Sequence, residues 1–201
     1  MTRLLLIVLF FPLAACLLSG VAPAQEKKPD DKKDPLNSFE PRSKPGAGHQ
    51  FLEAFVGDWE VAKTFHPRTG DPVRVKGTCR QTMIQDGRFL QSDFVFQADT
   101  GKTTGMGLIG FEPESGFFTS VWIDSRQTRM SARQSEEKFN GKEIVLFSKE
   151  LGGKAGRKSR TVTRLEDEGK KIVHRQFGIN SDGTERLVME LVLTKTAARK
   201  E

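Results

Sequence analysis

The sequence predicts an all-β protein, an up-and-down antiparallel β-barrel of about ten strands preceded by one short helix. Three features indicate this fold class: short apolar runs between turn sequences, 19 glycines spread among those runs, and 15 phenylalanines with no tyrosine in 201 residues. A chain of this length typically folds as one globular domain with appendages. The 32 basic and 26 acidic residues are interspersed, which predicts a mixed surface and no nucleic-acid partner.

The first 24 residues have the pattern of a secretory signal peptide. Arg3 gives a positive start, Leu4 to Leu18 carry no charge, and Ala22-Pro23-Ala24 places small residues at a cleavage site. The apolar run is too short to cross a bilayer of about 30 Å as a helix. The sequence therefore predicts an exported, periplasmic or secreted protein without a transmembrane span.

A second interpretation of the same segment remains open. Leu13-Ala14-Ala15-Cys16 resembles a bacterial lipobox, in which Cys16 would be lipidated and retained as the first residue. Against it, Leu17 and Leu18 continue the apolar run beyond the cysteine. The alternative to free export is thus a lipid-anchored envelope form.

Composition divides the rest of the chain. Residues 25–48 are rich in Lys, Asp and Pro and have few apolar residues, which predicts a disordered charged linker. The folded domain is predicted over residues 49–196, with 197–201 as a frayed tail. Removal of the leader leaves Cys79 alone, so the domain has no intrachain disulfide, and we interpret Cys79 as a small buried residue of a strand.

The predicted domain begins with one helix and continues as strands. Residues 49–55 place Phe51, Leu52 and Phe55 on one side of a short helix that Gly57 ends. Turn sequences such as Gln85-Asp86-Gly87 and Asn140-Gly141 separate the following apolar runs. The predicted strands are 59–65, 73–84, 89–97, 104–111, 117–124, 128–134, 143–149, 159–165, 172–179 and 185–193.

Short connections predict a meander in which each strand pairs with the next. An open meander leaves two unpaired edges, whereas closure into a barrel removes both, so a barrel is favoured over a sandwich. A barrel of about ten strands is wider than side chains alone readily fill. This geometry predicts room for a small ligand.

Several motifs resemble a known family. Val56-Gly57-Asp58-Trp59-Glu60 resembles the Gly-x-Trp opening of lipocalin-like (calycin) barrels, in which the tryptophan closes one end and a basic residue of the last strand packs across it. By that resemblance Gly57, Trp59 and Lys195 close the barrel. With Asp86–Leu90, Gly107–Phe111, Trp122–Ser125 and Asp182–Arg186, residues 49–196 resemble the bacterial family of unknown function numbered 1579. The resemblance implies a calycin-like barrel, often exported, with no established activity.

Candidate ligand-binding residues follow from the barrel geometry. We predict an aromatic wall formed by Phe89, Phe94, Phe96 and Trp122, with Arg88 or Asp124 as a polar anchor. Each has a structural alternative, such as a rim ion pair for Arg88 and a turn-forming role for Asp124.

His174 is a further candidate because it lies in the middle of a predicted strand. A neutral imidazole facing the cavity could ligate haem iron, as in nitrobindin-type barrels of the calycin group. The alternative is a hydrogen-bonded rim histidine. Apart from this haem option, the sequence predicts no cofactor, and His49 and His66 lack the neighbours of a metal site.

No catalytic motif is recognised. Gly105 to Gly110 spell Gly-x-Gly-x-x-Gly, but they lie in a strand with no helix following, so we interpret them as marking barrel curvature or close backbone approach. The favoured function is an exported barrel that binds a small, largely apolar molecule. The alternative is a structural or interaction protein of the cell envelope with a filled barrel and no ligand, followed by a haem-binding barrel or a hydrolytic enzyme. Ligand identity and oligomeric state are not predicted.

Overall fold

The structure is a computed structural model, which describes residues 44–98, 101–149, 151 and 158–196. The predicted signal peptide, Cys16, most of the predicted linker and the predicted tail lie outside these residues. Everything described belongs to one compact unit. Within it, no helix is long and apolar enough to span a membrane.

Ten antiparallel strands form a closed barrel in which each strand pairs with its sequence neighbour. The first and last strands close it, with Trp59 opposite Lys195 and Phe65 opposite Met189. The predicted all-β barrel with one short helix is therefore confirmed. The elements are α1 Ala47–Glu53, β1 Gly57–Phe65, β2 Val73–Ile84, β3 Phe89–Ala98, β4 Gly101–Glu112, β5 Phe117–Asp124, β6 Ser131–Gln134, β7 Glu143–Lys149, β8 Ser159–Glu166, β9 Lys171–Ile179 and β10 Glu185–Lys195.

Helix α1 begins at Ala47, two residues before the predicted start at residue 49. Gly48 is buried, and a side chain there would overlap the ring of Phe111. The Gly46 amide donates a hydrogen bond to His49 Nδ1 at 2.9 Å, which fixes the start of the helix. Gly48 therefore packs as part of the folded barrel, because its contact with Phe111 leaves no room for a side chain.

Strand β6 is shorter than the predicted 128–134. Asp124 holds the preceding turn, since its Oδ1 accepts a hydrogen bond from the Arg126 amide at 2.9 Å. The Ser125 amide also donates to the Thr104 carbonyl at 2.9 Å. These bonds keep the chain in a turn, so the pairing of β6 with β5 begins only at Ser131.

Aromatic side chains pack the end of the barrel that α1 covers, which we call the closed end. The Phe118 ring centroid lies 5.1 Å from that of Phe139 and 4.8 Å from that of Phe111. The Phe51 ring of α1 lies 4.9 Å from that of Phe139. These rings occupy part of the interior at this end, and we call the opposite end of the barrel the mouth.

Candidate functional site

The barrel encloses a cavity of about 330 Å³ that extends from α1 to the mouth. This volume is at the lower end of the range for small-molecule sites. Its apolar walls come from inward positions of several strands, and its polar groups lie in the middle and at the mouth. The apolar lining includes Leu52, Phe55, Phe65, Leu90, Phe94, Phe96, Ile109, Trp122, Ile144, Leu146, Ile172, Met189, Leu191 and Leu193.

Five of the seven predicted ligand-binding residues line this cavity. They are Phe94, Phe96, Trp122, Asp124 and His174. The Phe94 ring stacks on Phe96 at 5.7 Å between centroids and contacts the edge of Trp122 at 5.5 Å. The structure therefore brings three aromatic residues of the predicted wall together on one side of the cavity.

The other two predicted residues lie elsewhere. Phe89 is 42% exposed because it has the opposite parity to Leu90 on β3 and so points outward, over Gly110. Arg88 lies in the turn before β3, where its guanidinium is 3.9 Å from the Asp86 carboxylate. Neither residue is among the cavity walls, and Arg88 instead has the rim ion pair that was its structural alternative.

Asp124 connects the aromatic wall to the mouth. Its side chain is only 3% exposed, and its Oδ2 accepts hydrogen bonds from Trp122 Nε1 and from Arg126 Nη2, each at 3.0 Å. The hydrogen bond from Arg126 holds the pKa of the Asp124 carboxyl well below its usual range, and the bond from Trp122 lowers it further. The Asp124 carboxylate thus accepts hydrogen bonds that hold Trp122 and Arg126 in place.

His174 lies inside the barrel on β9. Its Nδ1 is 2.8 Å from Thr163 Oγ1 of the neighbouring strand. Burial, together with the positive charge of Arg133, lowers the pKa of His174 to about 4. The imidazole is therefore neutral at pH 7, as a metal ligand must be. Haem binding by His174 stays a prediction.

The same pair of side chains bears on catalysis. A hydroxyl next to a histidine is the first requirement for a nucleophile with its base. A base with a pKa near 4 removes a proton from a hydroxyl inefficiently at pH 7, because the ideal catalytic pKa lies near the working pH. The geometry of Thr163 and His174 thus favours a structural hydrogen bond over hydrolysis.

Several polar cavity residues were missed by the sequence analysis, among them Lys63, Arg133 and Gln81. Lys63 of β1 is 7% exposed, and its ammonium lies 4.5 Å from the centroid of the Phe65 ring and 4.2 Å from that of Phe96. Arg133 of β6 and Gln81 of β2 also face the cavity. Gln81 Nε2 donates to Ser92 Oγ at 2.9 Å, whereas Gln81 Oε1 and Arg133 Nε are buried without a partner among the described residues.

The glycines of β4 make room for the aromatic wall. Gly107 lies opposite Trp122 and Gly105 lies opposite Asp124 in the β4–β5 ladder. A side chain at Gly105 would overlap the Trp122 indole, and a Cβ at Gly107 would lie 3.4 Å from it. Close approach of a side chain to the backbone is one of the two interpretations of this glycine run made from the sequence.

The closed end contains the residues that the resemblance assigns to barrel closure. Trp59 is 1% exposed, its Nε1 donates to the Phe55 carbonyl at 3.0 Å, and the Lys195 ammonium lies 5.2 Å from its ring centroid. Gly57 has φ of +142°, and a Cβ there would lie 3.0 Å from Lys195 Cε. Lys195 thus crosses the indole at the position where Gly57 leaves space for it.

Cys79 lies in the core of β2, opposite Trp59. Burial raises the pKa of its thiol far above the usual value, and the nearby Asp93 and Asp58 carboxylates raise it further. The thiol is therefore protonated at pH 7. Across the described part of the chain, no group of three His, Cys, Asp or Glu side chains is arranged to hold a metal ion.

A larger hollow of about 900 Å³ borders the outside of the barrel wall. Many of its lining residues are outward positions of β1 to β3, including Asp58, Thr78, Arg80 and Asp93. It contains none of the predicted ligand-binding residues. The interior cavity is the better candidate site because barrel walls enclose it and aromatic side chains line it.

The comparisons with known proteins agree with this architecture. The structure of Rv2717c from M. tuberculosis is similar with a TM-score of 0.52 and 14% identity, covering 77% of this chain and 100% of that one. The S-type phycobiliprotein lyase CPES from Guillardia theta is similar with a TM-score of 0.52 and 10% identity, covering 76% and 94%. At these identities the likeness shows the fold alone. No curated protein matches the chain.

The family comparison covers the whole barrel. A family model described as "Protein of unknown function (DUF1579)" matches residues 44–195, which begin just before α1 and end with β10. This match extends over most of the chain and confirms the resemblance found in the sequence. The chain belongs to the DUF1579 family.

Proposed function

We propose that this protein is an exported binding protein whose barrel takes up a small, largely apolar molecule. The observation that carries the proposal is the cavity of about 330 Å³ with Phe94, Phe96 and Trp122 along one side. Burial of apolar ligand surface against such a wall contributes roughly 25 cal/mol per Å². The similarity to a lyase of phycobiliproteins supports only the barrel geometry.

The alternative of a filled barrel describes only the closed end. Phenylalanines pack the closed end, where Phe111, Phe118 and Phe139 contact one another. Toward the mouth the aromatic residues line a cavity and do not fill it. This division favours a binding protein with one plugged end over an envelope protein with a filled barrel.

The experiment uses N-phenylnaphthylamine, an uncharged apolar probe whose fluorescence rises in apolar sites. We expect the wild-type protein to bind it and the Ser120→Phe variant to bind it at least about tenfold more weakly, because Ser120 lines the cavity. Thr119→Phe is the matched control, since the same side chain is added at the adjacent, exposed position of β5. Absence of binding by the wild type, or equal loss in both variants, would overturn the proposal.

Export has its own test. The predicted cleavage after Ala24 and the predicted lipidation at Cys16 give different mature N-termini. Native mass spectrometry of protein from its own envelope fraction, followed by a denaturing run, measures the N-terminus and any retained small molecule together. A chain starting at Gln25 supports free export, a chain starting at Cys16 with acyl chains supports anchoring, and a chain starting at Met1 overturns both.

A further inference from the structure

The charges lining the cavity are unbalanced. They comprise three cationic side chains, Lys63, Arg126 and Arg133, and one carboxylate, Asp124. Asp124 is paired with Arg126. In the part of the chain that the structure describes, neither Lys63 nor Arg133 lies within 4.0 Å of a carboxylate oxygen. The cavity therefore has excess positive charge.

Arg133 supplies one of these unpaired positive charges. It lies on β6 between Ser120 of β5 and Ser148 of β7, in register with both. Its Nε is fully buried and has no acceptor among the described residues. Burial lowers the pKa of the guanidinium, but an arginine stays charged at any ordinary pH. A buried charge without a counter-charge or acceptor is costly to a fold.

The groups around Arg133 suit a bound anion. The Ser120 hydroxyl lines the same cavity and can donate a hydrogen bond. His174 is neutral at pH 7, so the positive charge at this position comes from Arg133. A guanidinium offers two parallel N–H donors to a carboxylate or sulfonate, and such charge-assisted bonds are about twice as strong as neutral ones.

Lys63 adds to the positive potential nearer the mouth. Its ammonium lies over the rings of Phe65 and Phe96, and Phe96 belongs to the aromatic wall. Electrostatic attraction in a cavity with apolar walls is stronger than in bulk water. The cation and the apolar surface are thus adjacent, as an amphipathic ligand requires.

Resting on the proposed function, we infer that the ligand is an organic anion with an apolar body, and that Arg133 binds its anionic group inside the barrel. The apolar body lies against Phe94, Phe96 and Trp122. Arg133 is then the residue that selects an anionic ligand over a neutral one of the same shape. The orphaned Nε is satisfied only in the complex.

The test compares two probes with the same aromatic rings. Anilinonaphthalene sulfonate carries a sulfonate that N-phenylnaphthylamine lacks. We expect Arg133→Met to weaken binding of the sulfonate probe at least about tenfold and to change binding of the neutral probe by less than about twofold. Arg80→Met is the matched control, because it removes one cation from an exposed outward position of β2, and we expect it to change neither.

The outcomes separate the two proposals. If the wild type binds neither probe, the proposed function fails and this inference with it. If it binds the neutral probe but not the sulfonate probe, only this inference fails. Equal loss of both probes in Arg133→Met, or unchanged sulfonate binding, also overturns it.

A second measurement needs no variant and so does not depend on Arg133→Met folding. Decanoate and decanol differ in charge but have the same number of carbon atoms, and each is tested as a competitor of N-phenylnaphthylamine for the wild-type protein. We expect decanoate to displace the probe at a concentration at least about tenfold lower than decanol at pH 7. Equal potency, or stronger displacement by decanol, would overturn the inference.

Discussion

The indole of Trp122 occupies the space that a side chain at Gly105 would need, because an ideal Cβ on Gly105 would overlap its ring. Trp122 is held there by the hydrogen bond from its Nε1 to Asp124 Oδ2 at 3.0 Å. Asp124 is itself fixed by Arg126. The position of the aromatic wall therefore depends on a missing side chain on β4 as well as on a hydrogen bond on β5.

Replacement of Gly105 by Ala tests this dependence. We expect Gly105→Ala to lower the free energy of unfolding by about 1 to 3 kcal/mol, because the new methyl group forces Trp122 out of its position. Gly107→Ala is the control, since its Cβ would lie at an ordinary 3.4 Å from the same indole. Urea unfolding followed by circular dichroism measures both variants. Equal stability of the two would contradict the proposed clash.

The topology could be predicted from the sequence because every connection is local. Turn sequences end each apolar run, so each strand pairs with the next. A sheet of such strands has two unpaired edge strands, and closing the sheet into a barrel removes both. The exact ends of β6 could not be predicted, because side-chain hydrogen bonds of Asp124 hold the turn before it. Such bonds depend on rotamers that composition and periodicity do not determine.

Strand parity explains which site residues were found. Phe94 and Phe96 are two residues apart and share the inward face, whereas Phe89 has the opposite parity and points outward. The same rule places Lys63 inside, since it lies two residues after Val61 and four after Trp59 and so shares their inward face. It gives no answer for Arg133, because β6 is the four-residue sequence Ser-Ala-Arg-Gln, without large apolar residues to mark a face.

His174 gives the protein a defined sensitivity to acid. In the folded protein burial, together with the charge of Arg133, lowers its pKa to about 4. In the unfolded chain it takes up a proton near its ordinary pKa of 6.5. Between these values the unfolded state binds more protons, so stability falls as the pH falls from about 6.5 to about 4.

The measurement is the free energy of unfolding at pH 7 and at pH 4.5. We expect His174 to contribute a loss of about 2 kcal/mol over this range, given that one pKa unit corresponds to 1.36 kcal/mol. His174→Gln keeps a polar partner for Thr163 but does not titrate, so its loss should be smaller by about that amount. An identical pH dependence in both proteins would show that His174 is readily protonated in the folded state.

Lys63 gives a pH dependence of the same sign in the alkaline range. Burial and, to a smaller extent, the Arg126 guanidinium lower its pKa from 10.5 to about 8, against the opposing effect of the Asp124 carboxylate. The remaining close neighbours are the uncharged rings of Phe65 and Phe96. Between about 8 and 10.5 the unfolded state binds more protons, so stability rises with pH over this window.

Lys63→Met should therefore stabilise the fold while weakening the binding of an anion. We expect the variant to unfold with a free energy about 1 to 3 kcal/mol higher at pH 7 and to lack the rise of about 2 kcal/mol between pH 7 and 10. Lys76→Met, at an exposed position of β2, is the control for the loss of one charge and should keep that rise. Urea unfolding at the two pH values measures the stability, and titration with anilinonaphthalene sulfonate at pH 7 measures the binding. Higher stability together with weaker sulfonate binding would mean that the buried ammonium lowers stability in favour of ligand affinity, whereas a destabilised variant would show that Lys63 supports the fold through its contacts with the two rings.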